Sequence, residues 1–194
     1  MHDNRDEAKL MELAQAGDAS SFDQLVEAHY VTVYNTAYRM LGDADTACDA
    51  TQGAFIRAFD ALSSFRGASA FSTWLYRITM NVCLDDLRRR KHQPLSLVTE
   101  ESEDASPEER EIPDEADEPG AKAEQRERQV IVQQAISRLP DDYRAIIVMY
   151  DIRGLSYQEI CEALDIPLGT VKSRLNRARH ALREEMEPHL ELFL

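Results

Sequence analysis

The sequence predicts an all-α chain: two small helical domains joined by a long, acidic, flexible linker. Three observations carry that expectation. Apolar residues recur at the three-and-four spacing of helices through both ends of the 194-residue chain, and no alternating stretch suggests a strand. Between the ends, the pattern vanishes and acids crowd together. Near the C-terminus, Ser156 to Glu185 reads as two helices joined by a tight turn. The expected bounds are residues 6–92, 93–126 and 127–187.

In the first domain Leu10, Leu13 and Ala14 form one apolar stripe, which Gly17-Asp18 ends. Phe22, Leu25 and Val26, then Tyr30, Val33, Ala37, Tyr38 and Leu41, continue the inward face of the next helix, and Gly42-Asp43 breaks it. After the break come Ala47, Asp49, Gln52, Phe55 and Phe59, apolar residues at helical spacing with polar ones opposed to them. Such a helix packs on one face and offers the other to a partner. Arg66-Gly67 with Ser69 marks a loop, and Phe71-Ser72-Thr73-Trp74 opens a helix that runs to about Lys91. Phe71, Leu75, Ile78 and Val82 share its buried face. Arg77, Asn81, Leu84 and Arg88 line a second face that is polar except for the leucine. The closing Arg88-Arg89-Arg90-Lys91 suits the negative end of a helix dipole, so by itself it says little about nucleic acid.

Between Glu100 and Glu118 there are eleven acids and one arginine, and Pro107, Pro113 and Pro119 interrupt any helix. A segment of this composition cannot bury enough surface to offset its chain entropy. As a flexible chain of about 33 residues it would span on the order of 30 Å, and stretched it could exceed roughly 100 Å. Of the formal net charge of −14, the linker run carries −10, the residues before it −3 and those after it −1. Such a run is ordinarily just solvated. It can also imitate nucleic acid, repelling DNA from the free protein or occupying a basic channel in a partner.

The second domain begins with Val130, Ile131, Ala135, Ile136 and Leu139, and Pro140-Asp141 closes that helix and caps the next. Tyr143, Ile146, Ile147 and Tyr150 follow, and Arg153-Gly154 turns the chain into Ser156. Ser156 with Glu159 is a capping box, each side chain satisfying a backbone amide of the other. Ile160, Ala163 and Leu164 face inward, Asp165-Ile166 makes the turn, and the last helix begins at about Pro167, where a missing amide costs nothing. Steps of 100° place Val171, Leu175, Ala178 and Leu182 in one apolar stripe and turn Ser173, Asn176 and His180 outward, flanked by Lys172 and Arg177. From Pro167 to Arg183 there are five Lys or Arg and no acid, inside an acidic protein. A helix of this diameter fits the major groove, where Arg, Lys, Asn and Ser read base edges while other cations hold phosphates.

Composition narrows the classes. Thirty per cent charged residues and a mean hydropathy of −0.47 predict a soluble protein, and no apolar run approaches the roughly 18 residues of a membrane helix. The acidic N-terminus lacks the cationic and apolar parts of a signal peptide, so a cytoplasmic location is expected. Cys48, Cys83 and Cys161 are distant from one another and sit in helical patterns, which predicts packed, reduced thiols. With no His-carboxylate constellation on a helix face and no phosphate-cradling glycine loop, no enzymatic activity, cofactor, metal or small-molecule substrate is expected. A self-sufficient helix-turn-helix regulator is the alternative class, but it would need a dimerisation surface and a positive footprint.

The run LPDDYRAIIVMYDIRGLSYQEICEALDIPLGTVKSRLNRARHALRE resembles region four of the extracytoplasmic-function sigma factors of bacterial RNA polymerase. Ala47, Asp49, Gln52 and Phe55 are similar to the clamp-gripping helix of region two. FSTWLYRITMNVCLDDLRRRK is similar to its promoter-melting helix, with Trp74, Leu75, Asn81, Asp85 and Arg88 in register. The resemblance implies core RNA polymerase and promoter DNA as partners, and an anti-sigma factor as a third. It implies polymerase binding by Asp45, Asp49, Gln52 and Phe55. Capture of a flipped minus-ten base would fall to Asn81 and the loop from Phe65 to Ser72, with Arg66, Ser72, Trp74, Arg77 and Arg88 around it. The minus-thirty-five element would be read by Thr170, Lys172, Ser173, Asn176 and Arg177, with Arg174 and Arg179 on phosphates. Gly53 stands where the family commonly has Glu, and Cys161 and Asn176 also depart from its pattern.

Overall fold

The computed structural model describes residues 4–67, 69–92 and 119–193, and every regular element among them is helical. The first unit is built from α1 (Asn4–Gln15), α2 (Ala19–Leu41), α3 (Ala44–Ala61) and α4 (Phe71–His92), with a 3-10 turn at Leu62–Ser64. The other three helices all pack on α2, which buries Leu25, Val33, Ala37 and Met40. Opposite them α3 presents Ala47, Ala50, Ala54 and Ala58, side chains small enough to let the helix axes approach closely. Phe71, Leu75, Val82 and Cys83 of α4 complete the core, with Ile78 only half-buried. Burial pushes the Cys83 thiol up to about 12, so it is a packed thiol and not a nucleophile.

Sequence chemistry sets the ends. Gly42 terminates α2 at φ 77°, a left-handed backbone that a glycine adopts without penalty, and its amide donates to Tyr38 O. The Asp43 carboxylate then starts α3 by accepting from the Thr46 amide at 2.8 Å and from the Thr46 hydroxyl. Those two bonds hold the Asp43 carboxyl below its usual range.

The second unit contains α5 (Pro119–Arg138), α6 (Asp141–Ile147), α7 (Tyr157–Leu164) and α8 (Leu168–Met186), followed by 3-10 turns at Glu187–Phe193. Pro119, expected as a breaker inside a linker ending at 126, instead opens α5. A first-turn proline sacrifices no intrahelical bond, which is why the helix can begin there. The acidic stretch from 93 to 118 lies outside the described residues.

Between α6 and α7 the chain widens into a π turn at Val148–Ile152, which the sequence pattern did not reveal. Ala145 to Met149 are buried one after another because α6 is wedged between α8 and the first unit, and the π turn that follows shifts the register at Val148. Two expected core residues face out: Leu13 and Tyr30 are exposed, and Met11 fills the place beside Ala14. Two more, Phe59 of α3 and Val130 of α5, are likewise exposed.

Because Asp43 is deprotonated when it caps α3, its contribution is present above the ordinary carboxylate range and is lost as pH falls through its lowered value. Asp43→Ala should cost about 1 kcal/mol at neutral pH and weaken the acid dependence of urea unfolding. An unchanged midpoint at pH 7 would show that the cap contributes nothing.

Candidate nucleic-acid interface

The capping box forms at Ser156. Its amide donates to Glu159 Oε2 at 2.8 Å and its hydroxyl accepts from the Glu159 amide at 3.3 Å. Burial acts to raise the Glu159 carboxyl, but these bonds and one from Thr73 outweigh it and hold the carboxyl below its usual range. At the other end of α7, Asp165 adopts φ 52°, a left-handed conformation that a short polar side chain tolerates better than a branched one. The carbonyl of Pro167 accepts from Thr170 at 2.8 Å and Val171 at 3.0 Å, so Pro167 stands as the cap itself, one residue ahead of α8.

On α8, Val171, Leu175 and Ala178 are buried, whereas Lys172, Ser173, Asn176, Arg177, Arg179 and His180 are exposed. Thr170 and Arg174 are half-buried on the edges. The two flanks are organised differently. On one, Lys172 Nζ lies 5.9 Å from the Tyr157 ring, Tyr157 stacks on Tyr150 at 4.9 Å, and Arg179 sits 5.2 Å above Tyr150. Asp151 grips Arg179 through two nitrogens, Nε at 3.1 Å among them, and this pairing raises the guanidinium further above its ordinary value. On the other flank Arg174 pairs with Asp142 at 3.2 Å. Arg177, by contrast, makes no ion pair among the described residues. Sequence reasoning identified the exposed face of α8 but not its supports Tyr150, Tyr157 and Asp151, because partners contributed by other elements leave no periodic signal on α8.

The second face of α4 is also assembled as expected. Arg77, Asn81, Leu84 and Arg88 line one wall of a cleft of about 520 Å³. The opposite wall belongs to the second unit and includes Asp142, Glu162, Asp165 and Arg174. Trp74 falls on the same face of α4 by helical steps and is half-buried against Phe65 and Phe71, with ring centroids at 5.1 and 5.8 Å. Arg66 is exposed on the loop before α4. Ser72 lies on the other side of the helix, away from Arg77, Asn81 and Arg88, so the structure does not bring it into that cluster.

On α3 the structure sorts the polymerase-binding candidates in two. Asp45, Asp49 and Gln52 are exposed on one stripe, Gln52 donating to Cys48 Sγ at 3.8 Å. Phe55 instead turns inward, 8% exposed, with its ring stacked 6.4 Å from Tyr30. The exposed apolar members of the stripe are Ile56, at 63%, and Phe59, at 52%. Ile56 was legible in principle, since 45, 49, 52, 56 and 59 continue a single three-and-four spacing.

No helix among the described residues is long and apolar enough to cross a membrane. The Sigma-70 region 2 family model matches residues 25–93, and the Sigma-70, region 4 model matches residues 129–182. The RNA polymerase sigma-H factor of Pseudomonas aeruginosa is 37% identical over 183 residues, covering 94% of each chain. The ECF RNA polymerase sigma factor SigW of Bacillus subtilis is 36% identical over 92% of this chain and 95% of its own. Among solved structures, CnrH in complex with the cytosolic domain of CnrY shares the fold at TM-score 0.65 and 23% identity, over 95% of this chain and 99% of that one. With both of its helical units matched in order and its relatives covered almost end to end, the chain belongs to the extracytoplasmic-function family of RNA polymerase sigma factors.

Proposed function

We propose that this chain directs core RNA polymerase to particular promoters, each unit handling one promoter element. The observation that carries the reading is the outward face of α8: exposed Ser173, Asn176 and Arg177, the last without an ion pair among the described residues, in a stretch from Pro167 to Arg183 that holds no acid, on a helix anchored by Val171, Leu175 and Ala178. In a major groove those three reach base edges, while Lys172 and Arg179, held on the tyrosine pair, meet the flanking phosphates. On α4, Asn81 recognises an extruded base of the opened strand, with Trp74 at the head of the same face and Arg77 and Arg88 along the backbone. The stripe Asp45, Asp49, Gln52, Ile56 and Phe59 seats the first unit on the polymerase, acidic at its N-terminal end and apolar at its C-terminal end.

A formal charge of −14 works against duplex binding by the chain alone, so polymerase must supply both spacing and attraction. This separates the reading from that of a self-sufficient helix-turn-helix regulator. Run-off transcription with purified core polymerase on genomic fragments should give discrete start sites only when this chain is added. Tight binding of duplex promoter DNA by the isolated chain at physiological salt would favour the regulator instead.

At a promoter so identified, Arg177→Ala or Lys172→Ala should weaken initiation by roughly 1–3 kcal/mol, measured by run-off yield against template concentration. Unchanged output would remove Arg177 from the reading face and Lys172 from the phosphate contacts. Separately, Asp49→Lys and Ile56→Glu should each reduce co-purification with core polymerase while leaving helicity, followed by circular dichroism, unaltered. Full retention on core polymerase would place the docking stripe elsewhere.

A further inference from the structure

We propose that Gln15 of α1 is a positioning residue for base capture by the first unit: it holds the stem of the loop before α4, so that Phe65 backs Trp74 at the head of the Asn81 face. The inference rests on the promoter-reading assignment and adds a residue to its machinery. Gln15 is exposed, and an exposed glutamine ordinarily turns its amide to water. Here Nε2 donates to Leu62 O at 3.0 Å and to Phe65 O at 2.8 Å, carbonyls 47 and 50 positions away. Both protons of the amide nitrogen are thus engaged. Their acceptors lie where the helical run of α3 and its 3-10 turn stops, and where carbonyls lack intrahelical partners.

The rest of α1 gives this grip a fixed base. Met11 and Ala14, on the turn that leads to Gln15, are buried where α1 packs on α2. Nearer the start of the helix, Glu7 Oε2 lies 3.2 Å from His29 Nε2, and the His29 ring meets the Phe71 ring edge-on at 5.3 Å. Phe71 is the first residue of α4 and is buried. α1 therefore bears on both ends of the connection between α3 and α4: directly on Leu62 and Phe65, and through His29 on Phe71.

Between those ends sits an aromatic cluster. The Phe65 ring packs on Phe71 and Trp74 with centroids at 6.1 and 5.1 Å, and Asn81 follows Trp74 two turns along the same face of α4. Phe65 itself belongs to no helix. Its amide donates to Leu62 O at 3.1 Å, so the two carbonyls held by Gln15 are those of one short turn. Extruding a base from its stack is costly, and a pocket offsets that cost best when its walls already stand in place. Losing the Gln15 amide frees the turn, and with it the ring behind Trp74, without altering any side chain assigned to DNA or polymerase.

The test uses the holoenzyme formed by core polymerase and the full chain, carrying either Gln15→Leu, which keeps much of the bulk and loses the donors, or Gln15→Ala, which adds no apolar surface. Fluorescence anisotropy reports affinity for the single-stranded, non-template minus-ten segment of a promoter mapped by run-off transcription, and for the same strand with each base replaced in turn. Both variants should bind the native strand roughly tenfold more weakly, a scale that two uncharged hydrogen bonds can carry. They should also lose preference at the captured base, with helicity and retention on core polymerase unchanged. In an Asn81→Ala background Gln15→Leu should cause little further loss, because the two residues act on one site. Unchanged affinity, an equal loss on every strand that leaves the preference intact, or full additivity with Asn81→Ala overturns the assignment of Gln15. Loss of helicity in both variants would make it a structural residue and overturn the assignment likewise. A wild-type holoenzyme that shows no preference among the strands would overturn the promoter-reading assignment instead.

Discussion

A helix that stops inside a protein leaves carbonyls facing nothing, and here the ends of α2 and α5 resolve that problem with one shared guanidinium, that of Arg144. The arrangement of the two units follows from this constraint. Gly42 turns α2 away in a left-handed conformation that favours glycine, and a Cβ there would press on the Ser137 hydroxyl at 3.0 Å. α6, which carries Arg144, is thereby wedged against the first unit, and five consecutive residues from Ala145 to Met149 become core. A regular helix could not bury five successive positions by its own periodicity; burial from two sides, with the π turn that follows, does.

The electrostatics follow the same economy. Three cations on the flanks of α8 are met from neighbouring elements: Arg179 by Asp151 and Arg174 by Asp142, with Lys172 resting on Tyr157. Pairing keeps the long side chains in place and lowers the net attraction for bare duplex, so affinity depends on something larger that brings the site to the DNA. Arg177, with no ion pair among the described residues, keeps its charge exposed on the outward face. A protein with this overall acidity thus presents one confined positive face and leaves the long-range attraction to its polymerase.

Much of this was legible in the residues. The Ser156 and Glu159 box, the turn at Asp165 and the anchoring stripe Val171, Leu175 and Ala178 all follow from periodicity and cap chemistry, which act over a few residues. Arg77, Asn81, Leu84 and Arg88 were identifiable as one face for the same reason. What the sequence concealed is tertiary. Nothing local distinguishes Arg144 from a solvated arginine, because its acceptors lie in other helices, Met40 more than a hundred positions away. Phe55 and Ile56 are adjacent and both apolar, and only the packing of α2 against α3 decides that the phenyl ring turns in and the isoleucine out. Pro119 misled in the opposite direction, since a proline disfavoured within a helix is welcome at its first position.

The account turns on this chain letting core polymerase open DNA at chosen start sites, and chemical probing of an opened promoter addresses that directly. Permanganate should find unpaired thymines near a start site only when core polymerase and this chain are present together, and Asn81→Ala should weaken that signal. Thymines equally reactive with core polymerase alone, or none with the chain added, would contradict it.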